Sequence, residues 1–284
     1  MAKLNIALFV RRDKKQALVV AEKVNEWFQR RRIQVWCDLK VESLKHTQPL
    51  TLTTNLKSMK LAIAIGGDGT YLHAVRALKG LPVPVLGINL GHLGFLTETS
   101  EQDVFKTLDR FLKLKIKPIS RSMLQVSVKK RGKTIKNFLA LNDVVVERGS
   151  NTHLIDLSVF ADQSLVSRVR ADGLIVSTPT GSTAYNLSAG GPILHPEVAA
   201  VVVTPVCPHS LTSRPVTFSD HHKIQISLNQ KQEALLMVDG QHGCDLTQDC
   251  TVIVTRSDKK HYKIESQRDY FELLNSKLEF GHRT

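Results

Sequence analysis

The sequence lacks the long apolar segments of a membrane protein and the cysteine spacing of a metal site or disulfide scaffold. No stretch approaches the roughly 18 apolar residues that a membrane helix needs. The four cysteines form no C-x-x-C pair, and in a chain of this length they are expected to be reduced thiols. No small-residue cleavage site follows the apolar segment Asn5–Val10, so a first strand is expected rather than a secretory signal. We therefore expect a cytoplasmic protein without membrane contact.

Glycine, proline and aromatic residues are also sparse. The 16 glycines and 10 prolines among 284 residues exclude a fibrous or low-complexity chain. An aromatic content of 6% argues against a surface for base stacking. Hydrophobic residues reach 42%, which is enough to form a core, and the length suggests about two domains.

Acidic residues are outnumbered, and the net charge is +13. The first 60 residues contain 13 basic and 5 acidic side chains. Such a surface attracts anions in general, from nucleic acids to polyphosphates and small phosphate-bearing molecules. Neither arginine–aromatic alternation nor zinc-finger spacing supports nucleic-acid readout, so no nucleic-acid partner is expected. Charge alone does not choose between the other anionic partners and a surface whose lysines only keep the protein in solution.

The first 118 residues alternate between strand and helix patterns. Strands are predicted at 5–10, 33–37, 61–65 and 84–89, and helices at 14–32, 70–78 and 101–115, with an irregular loop over 38–60. Strands separated by helices predict a parallel sheet covered on both faces. The first domain is therefore expected to be a Rossmann-like α/β domain.

From residue 119 onward, strand follows strand with turn signals between them. Strands are predicted at 123–129, 135–147, 154–160, 166–170, 174–177, 201–204, 224–228, 234–238, 252–255 and 262–265. This pattern predicts a mostly antiparallel β-sandwich over 119–268. A short final helix is predicted at 269–276. The residues leave open whether it returns to the first domain, in which case 1–118 and 269–284 would form one α/β domain.

The sharpest local feature is the turn Gly66-Gly67-Asp68-Gly69-Thr70, between a predicted strand and a predicted helix. Three glycines allow a tight turn with exposed N–H groups, and a helix start favours phosphate. Asp68 repels phosphate, which suggests that it contacts a hydroxyl or holds a metal that bridges phosphates. The alternative is a tight turn with Asp68 as an N-cap. The turn is neither a Walker A loop nor a dinucleotide fingerprint.

A second feature is the segment 170–192, which is rich in small and hydroxyl residues. It contains Arg170-Ala171-Asp172-Gly173 and the run from Ser177 to Pro192. Its hydroxyls supply donors and acceptors with little bulk, and Tyr185 could stack on a base. A segment of this length exceeds what a simple turn needs, so we expect it to bind a flat polar ligand.

Together these features resemble the NAD kinase family, whose members transfer the γ-phosphoryl group of ATP, or in some members of polyphosphate, to the 2′-hydroxyl of the adenosine ribose of NAD. The matching segments are 66–70, 89–96, 142–143, 170–192, 204–215 and 239–241. They follow the family's order over nearly the whole chain. The glycine turn alone would also fit lipid kinases and phosphofructokinases, whereas the run from Arg170 to Tyr185 is far more specific.

The resemblance implies a role for each matching residue. Asp68 would be the general base on the 2′-hydroxyl, with Gly69 beside it. The turn residues Gly66, Gly67, Gly69 and Thr70 would bind phosphate. His73 stands where the family has a basic residue that reaches towards phosphate, and in many members it is arginine, so the charge of His73 depends on pH.

The remaining implied contacts are to NAD. Asn142 and Asp143 would bind the ribose and nicotinamide side, although many members have Glu where this chain has Asp143. The adenine and ribose pocket would be lined by Thr183, Ala184, Tyr185, Asn186, Leu187 and Ser188. Arg170 and Asp172 would come from a neighbouring subunit, Gln241 would lie near the ribose, and His153 and Thr180 would make weaker contacts.

The resemblance further implies a divalent cation, Mg²⁺ or Mn²⁺, carried with the phosphoryl donor, and a homodimer or homotetramer. No histidine spacing in the sequence predicts a metal held by the protein itself. Two alternatives to an NAD kinase stay open at this point. One is a lipid kinase with the same glycine turn, which would leave residues 178–185 unexplained. The other is a non-enzymatic nucleotide-binding module, which would leave Asp68 without a purpose.

Overall fold

The computed structural model describes residues 4–38, 43–51, 54–91, 93–150, 153–266 and 269–279. His92 and parts of the predicted 38–60 loop and of the 269–284 segment lie outside these residues. The chain divides into two units. The first unit comprises residues 1–120 and 261–284, and the second comprises residues 121–260.

Strands and helices alternate at the beginning of the chain, and strands dominate afterwards. The first elements are β1 (Asn5–Val10), α1 (Lys15–Gln29), β2 (Gln34–Cys37), β3 (Gln48–Pro49), β4 (Met59–Ile65), α2 (Asp68–Leu78), β5 (Val85–Ile88), α3 (Val104–Leu112) and β6 (Ile119–Arg121). The next are β7 (Leu124–Lys130), β8 (Lys133–Ala140), β9 (Asp143–Glu147), β10 (Ile155–Ala161), β11 (Ser164–Ala171), β12 (Gly173–Ser177) and α4 (Tyr185–Ser188). The last are β13 (Ala200–Val206), β14 (Val216–Ser219), β15 (Ile224–Leu228), β16 (Ala234–Val238), β17 (Gln241–Leu246), β18 (Cys250–Arg256), β19 (His261–Ile264) and α5 (Tyr270–Leu278).

The first unit is built on a sheet with the strand order β3-β2-β1-β4-β5-β19-β6. The strands from β3 to β19 pair in parallel, as the alternating pattern predicted. Residues that alternate along β1, β4 and β5, including Ile6, Leu61 and Leu86, share one buried cluster with apolar residues of α1 and α3. A Cβ atom at Gly87 would lie 2.8 Å from the ring of Tyr71 on α2, so α2 packs closely against the sheet.

The position of β19 corrects the sequence analysis. The strand predicted at 262–265 was assigned to the β-sandwich, but His261–Ile264 pairs in parallel with β5, with Lys263 opposite Val85. The buried hydroxyl of Tyr71 lies 2.7 Å from Nε2 of His261. A strand pattern reports burial but not the partner strand, so the sequence could not assign this strand to a sheet.

The second unit is a β-sandwich of two antiparallel sheets. Their orders are β11-β10-β15-β18-β7-β8 and β14-β13-β12-β9-β16-β17. Side chains from both sheets, such as Leu157 and Val252 from one and Leu174 and Leu236 from the other, form a single buried cluster. The predicted sandwich architecture is confirmed.

One predicted strand of the sandwich is in fact two. The sequence predicted a continuous strand over 135–147, but the chain leaves the first sheet after Ala140 and enters the second at Asp143. Leu141 and Asn142 form the crossing. The run is apolar on both sides of the crossing, which concealed the break. The strands β14 and β17 were not predicted, because β14 is only four residues long and largely exposed, and β17 begins with the exposed polar residues Gln241 and His242.

No helix among the described residues is both long enough and apolar enough to cross a bilayer.

Candidate functional site

The glycine turn follows β4 and opens α2, as the sequence predicted. The N–H of Gly66 donates to the carbonyl of Ile88 at 2.9 Å, which ties the turn to β5. A Cβ atom at Gly66 would overlap Oγ1 of Thr70 and lie 2.9 Å from Cβ of Arg11, so only glycine fits there. The N–H groups of Thr70 and Tyr71 donate to the carbonyl of Gly67. The N–H groups of Asp68 and Gly69, the first two of α2, have no intrahelical acceptor, so they are the donors that the turn presents to an anion.

The carboxylate of Asp68 is held by a facing loop. Its Oδ2 accepts from the N–H of Phe95 at 3.0 Å. Its Oδ1 accepts from the N–H of Leu96 at 3.2 Å, and from the N–H and hydroxyl of Thr97 at 3.0 and 2.9 Å. A Cβ atom at Gly94 would overlap Oδ1, which explains the glycine there. These bonds fix the orientation of the half-buried Asp68 side chain and stabilise its negative charge.

His73 lies one turn along α2 from Asp68. Its Nε2 is 3.2 Å from Oδ2 of Asp38, and its ring meets the ring of Phe9 edge to face at 5.6 Å between centroids. The other oxygen of Asp38 accepts the N–H of Val10 at 3.0 Å. The histidine is exposed, so a ligand can reach it, and Asp38 is its partner in the structure.

In the second unit, Asn142 and Asp143 are organised by Asp239. Oδ1 of Asp239 accepts the N–H groups of Asn142 and Asp143 at 2.7 and 3.2 Å, and Oδ2 accepts that of Leu141 at 2.9 Å. Asp239 and Gly240 both have positive φ and connect β16 to β17 in a two-residue hairpin. The hairpin thus carries a carboxylate to the point where the chain crosses between the sheets.

Asp143 is buried beside this carboxylate. Burial and the negative charge of Asp239 raise its pKa to about 7, because both disfavour a second negative charge. Below that pH the Asp143 carboxyl is neutral and offers one O–H donor as well as an acceptor.

The segment after β12 closes over the crossing. Oγ1 of Thr178 donates to the carbonyl of Leu141 at 2.6 Å, and the N–H of Thr178 donates to that of Asn142 at 2.8 Å. A Cβ atom at Gly181 would overlap the backbone of Asn142. The chain then forms a 3₁₀ turn, Thr180–Thr183, and the short helix α4.

Two buried polar atoms in this region have no hydrogen-bond partner in the described part of the chain. They are Oδ1 of Asn142 and Oγ1 of Thr180. Buried polar atoms are nearly always paired, so two orphans on adjoining segments indicate a place where a polar ligand binds. Both residues were predicted as NAD contacts.

The other predicted residues of 183–188 divide by exposure. Asn186 is fully buried, and its side chain donates to the carbonyls of Ser182 and Pro192 and accepts from Thr204. It therefore holds the segment in shape. Tyr185 and Ser188 are exposed, and Thr183, Ala184 and Leu187 are half-buried. Partial burial of the Tyr185 side chain raises the pKa of its hydroxyl. The hydroxyl therefore stays protonated and can donate a hydrogen bond.

Both halves of the chain match known protein families. Residues 6–116 match the ATP-NAD kinase N-terminal domain, and residues 141–266 match the ATP-NAD kinase C-terminal domain. The chain belongs to the NAD kinase family. It is thus a phosphotransferase that acts on an alcohol acceptor, and the alternatives of a lipid kinase and of a non-enzymatic module find no support.

Relatives of this NAD kinase match along nearly its whole length. The NAD kinase of Bdellovibrio bacteriovorus is 44% identical over 281 residues, which are 98% of this chain and 93% of that protein. The NAD kinase of Geobacter sp. (strain M21) is 37% identical over 287 residues, 98% of this chain and 99% of that one.

Solved structures agree with the fold. Yeast NADH kinase complexed with NADH superposes with a TM-score of 0.90 at 27% identity, covering 100% of this chain and 90% of that one. An NAD kinase from Archaeoglobus fulgidus in complex with ATP gives 0.74 at 25% identity, covering 96% and 99%.

Some predicted contact residues of the NAD kinase lie apart from the crossing or are already engaged. Nε of Arg148 contacts the carboxylate of Asp172 at 2.6 Å. Arg170 is an exposed residue of β11. Gln241, by contrast, is exposed at the start of β17 and directly follows the Asp239–Gly240 hairpin at the crossing. His153 lines an open cavity of about 1000 Å³ together with Thr247, which follows the last residue of β17, whereas Gln241 is the first residue of that strand.

Sequence reasoning missed several residues that shape the site of the NAD kinase. Thr97, Glu98 and Lys263 were not singled out, and Asp239 was noted only as part of a matching segment. Polarity was not a usable signal for Thr97 and Glu98, because they begin the polar run 97–103 and yet are buried. Among the described residues, no three His, Cys, Asp or Glu side chains are grouped to hold a metal ion.

Proposed function

We propose that this chain transfers the γ-phosphoryl group of ATP to the 2′-hydroxyl of the adenosine ribose of NAD and so produces NADP. The observation that carries the proposal is the bonding of Asp68. Oδ1 accepts three hydrogen bonds, whereas Oδ2 accepts one, from Phe95, among the described residues. A carboxylate oxygen has two lone pairs, so Oδ2 can accept a hydroxyl proton from a sugar.

The role proposed for Asp68 is to orient the acceptor hydroxyl. Carboxylates are weak bases towards sugar hydroxyls. Phosphoryl transfer passes through a loose transition state in which positioning and charge stabilisation supply most of the rate enhancement. Asp68 therefore aligns the hydroxyl with the phosphorus and takes its proton late in the reaction.

The turn Gly66–Gly67–Asp68–Gly69–Thr70 is proposed to bind the donor's phosphates. Its amides at the start of α2 and the dipole of that helix favour an anion. His73 adds positive charge when it is protonated. The divalent cation, Mg²⁺ or Mn²⁺, is proposed to enter with the donor and to neutralise phosphate charge there. Among the described residues, Asp68 belongs to no group of three His, Cys, Asp or Glu side chains that could hold a metal ion, so the cation is proposed to be held mainly by the donor's phosphates.

NAD is proposed to bind at the crossing in the second unit. The unpaired Oδ1 of Asn142 and Oγ1 of Thr180 would accept or exchange hydrogen bonds with ribose hydroxyls. A neutral Asp143 carboxyl pairs well with a carboxamide such as that of nicotinamide, since each offers a donor and an acceptor. Tyr185 would stack on adenine. Arg170 and Asp172 are proposed to serve the site of a neighbouring subunit in a homodimer or homotetramer in the cytoplasm.

The test is the formation of NADP. Purified protein is incubated with NAD, ATP and Mg²⁺, and NADP is measured with a dehydrogenase specific for it. Parallel reactions replace ATP with polyphosphate, NAD with NADH, or Mg²⁺ with a chelator. We expect NADP with ATP and a loss of activity on chelation. A folded protein that forms no NADP with either donor would refute the proposal. Gel filtration of the same preparation gives the oligomeric state.

A further inference from the structure

Lys263 is a buried cation that the reaction described above does not use. It lies on β19, with only 4% of its surface exposed. Its Nζ contacts the buried carboxylate of Glu98 and donates to the carbonyl of Phe95 at 3.1 Å. Glu98 also accepts from the N–H and hydroxyl of Ser266 at 3.2 and 3.1 Å. The ammonium and the carboxylate neutralise each other, so the pair is a fixed dipole.

The carbonyl that Lys263 contacts belongs to the same peptide group as an N–H that contacts Asp68. The Phe95 carbonyl and the Leu96 N–H are the two ends of one peptide unit. Leu96 N–H donates to Oδ1 of Asp68 at 3.2 Å, while Lys263 binds the opposite end. A cation on a carbonyl polarises the peptide and strengthens the donor at its other end. The ammonium of Lys263 and the carboxylate of Asp68 are therefore joined through a single planar group.

We propose that Lys263 is a positioning residue for Asp68, acting through the peptide group between Phe95 and Leu96. This inference rests on the proposed function and adds to it a residue that follows the second unit in the chain. Lys263 fixes the plane of the peptide, and the peptide fixes the carboxylate. Oδ2 is thereby kept in one orientation towards the acceptor hydroxyl. Lys263 acts only through the orientation of Asp68 and does not contact a substrate. Its loss therefore lowers kcat and leaves KM nearly unchanged.

The test removes both charges of the pair at once. Lys263→Met alone would leave the buried Glu98 carboxylate without a counter-charge, which is strongly destabilising. The double variant Lys263→Met/Glu98→Gln avoids this. We expect it to fold, to lose about tenfold or more in kcat, and to keep KM for NAD and ATP within about threefold. The matched control is Arg256→Met/Asp220→Asn, which removes an ion pair with a buried carboxylate in the second unit and should retain kcat.

A double-mutant cycle separates positioning from a general structural role. In the background of Asp68→Asn, the double variant should cause little further loss, because the group that it positions is gone. If the double variant lowers kcat by the same factor with and without Asp68→Asn, the proposal is overturned. A folded double variant with unchanged kcat would overturn it as well. If the double variant does not fold, kcat and KM of Lys263→Arg are measured instead. Its longer side chain should displace the Phe95 carbonyl and lower kcat severalfold at constant KM, and an unchanged kcat would overturn the proposal.

A second measurement does not depend on catalysis. Hydrogen exchange of the amides at residues 95–97 should be slow in the native protein and faster in the double variant, with no such change in the control variant. Equal exchange in both would count against Lys263. If the native protein forms no NADP at all, the proposed function fails, whereas a double variant with native kcat makes only this inference fail.

Discussion

The carboxylate of Asp239 accepts the backbone N–H of Asn142 at 2.7 Å, although 97 residues separate the two in the chain. It also takes the N–H groups of Leu141 and Asp143. At this crossing the chain leaves one sheet for the other, and the N–H groups lose the strand partners that a continuous strand would offer. Asp239 supplies the missing acceptors, so the residues proposed to bind NAD depend on the β16–β17 hairpin.

Asp239→Asn should loosen this crossing. An amide offers one acceptor oxygen, and its NH₂ group would face a backbone N–H. We expect a loss of about 2 kcal/mol in the free energy of unfolding and a rise of several-fold in KM for NAD, with a smaller change in kcat. Urea unfolding and initial rates measure both. Asp245→Asn, on the exposed face of β17 and paired only with His242 among the described residues, should have little effect. Native KM in Asp239→Asn would contradict the assigned role.

The raised pKa of Asp143 predicts a stability that depends on pH. The Asp143 carboxyl has a pKa of about 7 in the folded protein and near the ordinary aspartate value of 3.8 in the unfolded chain. Between these values folding takes up a proton, so this group's contribution becomes less favourable as pH rises and is fully unfavourable above pH 7. Asp143→Asn removes the effect. The free energy of unfolding of Asp143→Asn minus that of the native protein should therefore rise by roughly 2–3 kcal/mol from pH 5 to pH 8. A constant difference over that range would show that the shift is absent.

Asp68→Asn should lose most of kcat while NAD affinity changes less. The substitution removes the negative charge and sets an NH₂ group against one of the donors of the 95–97 loop. The matched control is Thr97→Val, which deletes only the hydroxyl bond to Oδ1 and keeps the carboxylate and the volume. We expect a fall in kcat of about 100-fold or more for the first and a small fall for the second. Near-normal turnover in Asp68→Asn would refute its role.

Gly181→Ala should disrupt the contact between the 3₁₀ turn and the crossing. An added methyl group would overlap the carbonyl and Cα of Asn142, which are backbone atoms and cannot yield cheaply. We expect a loss of about 2 kcal/mol or more in stability and weaker NAD binding. Gly243→Ala, whose nearest neighbour would be 3.2 Å away, is the control and should be tolerated. Thermal unfolding and a fluorescence titration with NAD distinguish the two.

The sequence predicted the parts of the site that depend on local order. The turn at Asp68 could be located because an apolar strand precedes it and an amphipathic helix follows it. The strand Asn5–Val10 has the predicted bounds because its apolar run ends at the charged residues that follow Val10. The segment 177–192 was recognisable by its small and hydroxyl residues. Each of these signals lies within a few neighbouring residues.

Long-range pairings were not predictable in this way. Nothing near Lys263 in the sequence indicates that it meets Glu98, 165 residues earlier. The run at 135–147 hides the crossing because apolar residues stand on both sides of it, at 138–141 and 144–146, although the two strands belong to different sheets. Similarly, nothing near His153 shows that it lies at the opposite end of β17 from Gln241. These relationships are set by which strands pair, and a single sequence does not encode that in any local pattern.

Because β19 pairs with β5 in the first sheet, the ammonium that meets Glu98 is synthesised only after the whole second unit. A nascent chain of the first 120 residues already contains the glycine turn, but not the strand that carries Lys263. Truncated products released early from the ribosome should therefore lack phosphoryl transfer even where their first hundred residues have folded. In this enzyme, the environment of Asp68 is complete only when the strand that follows the second unit has been made.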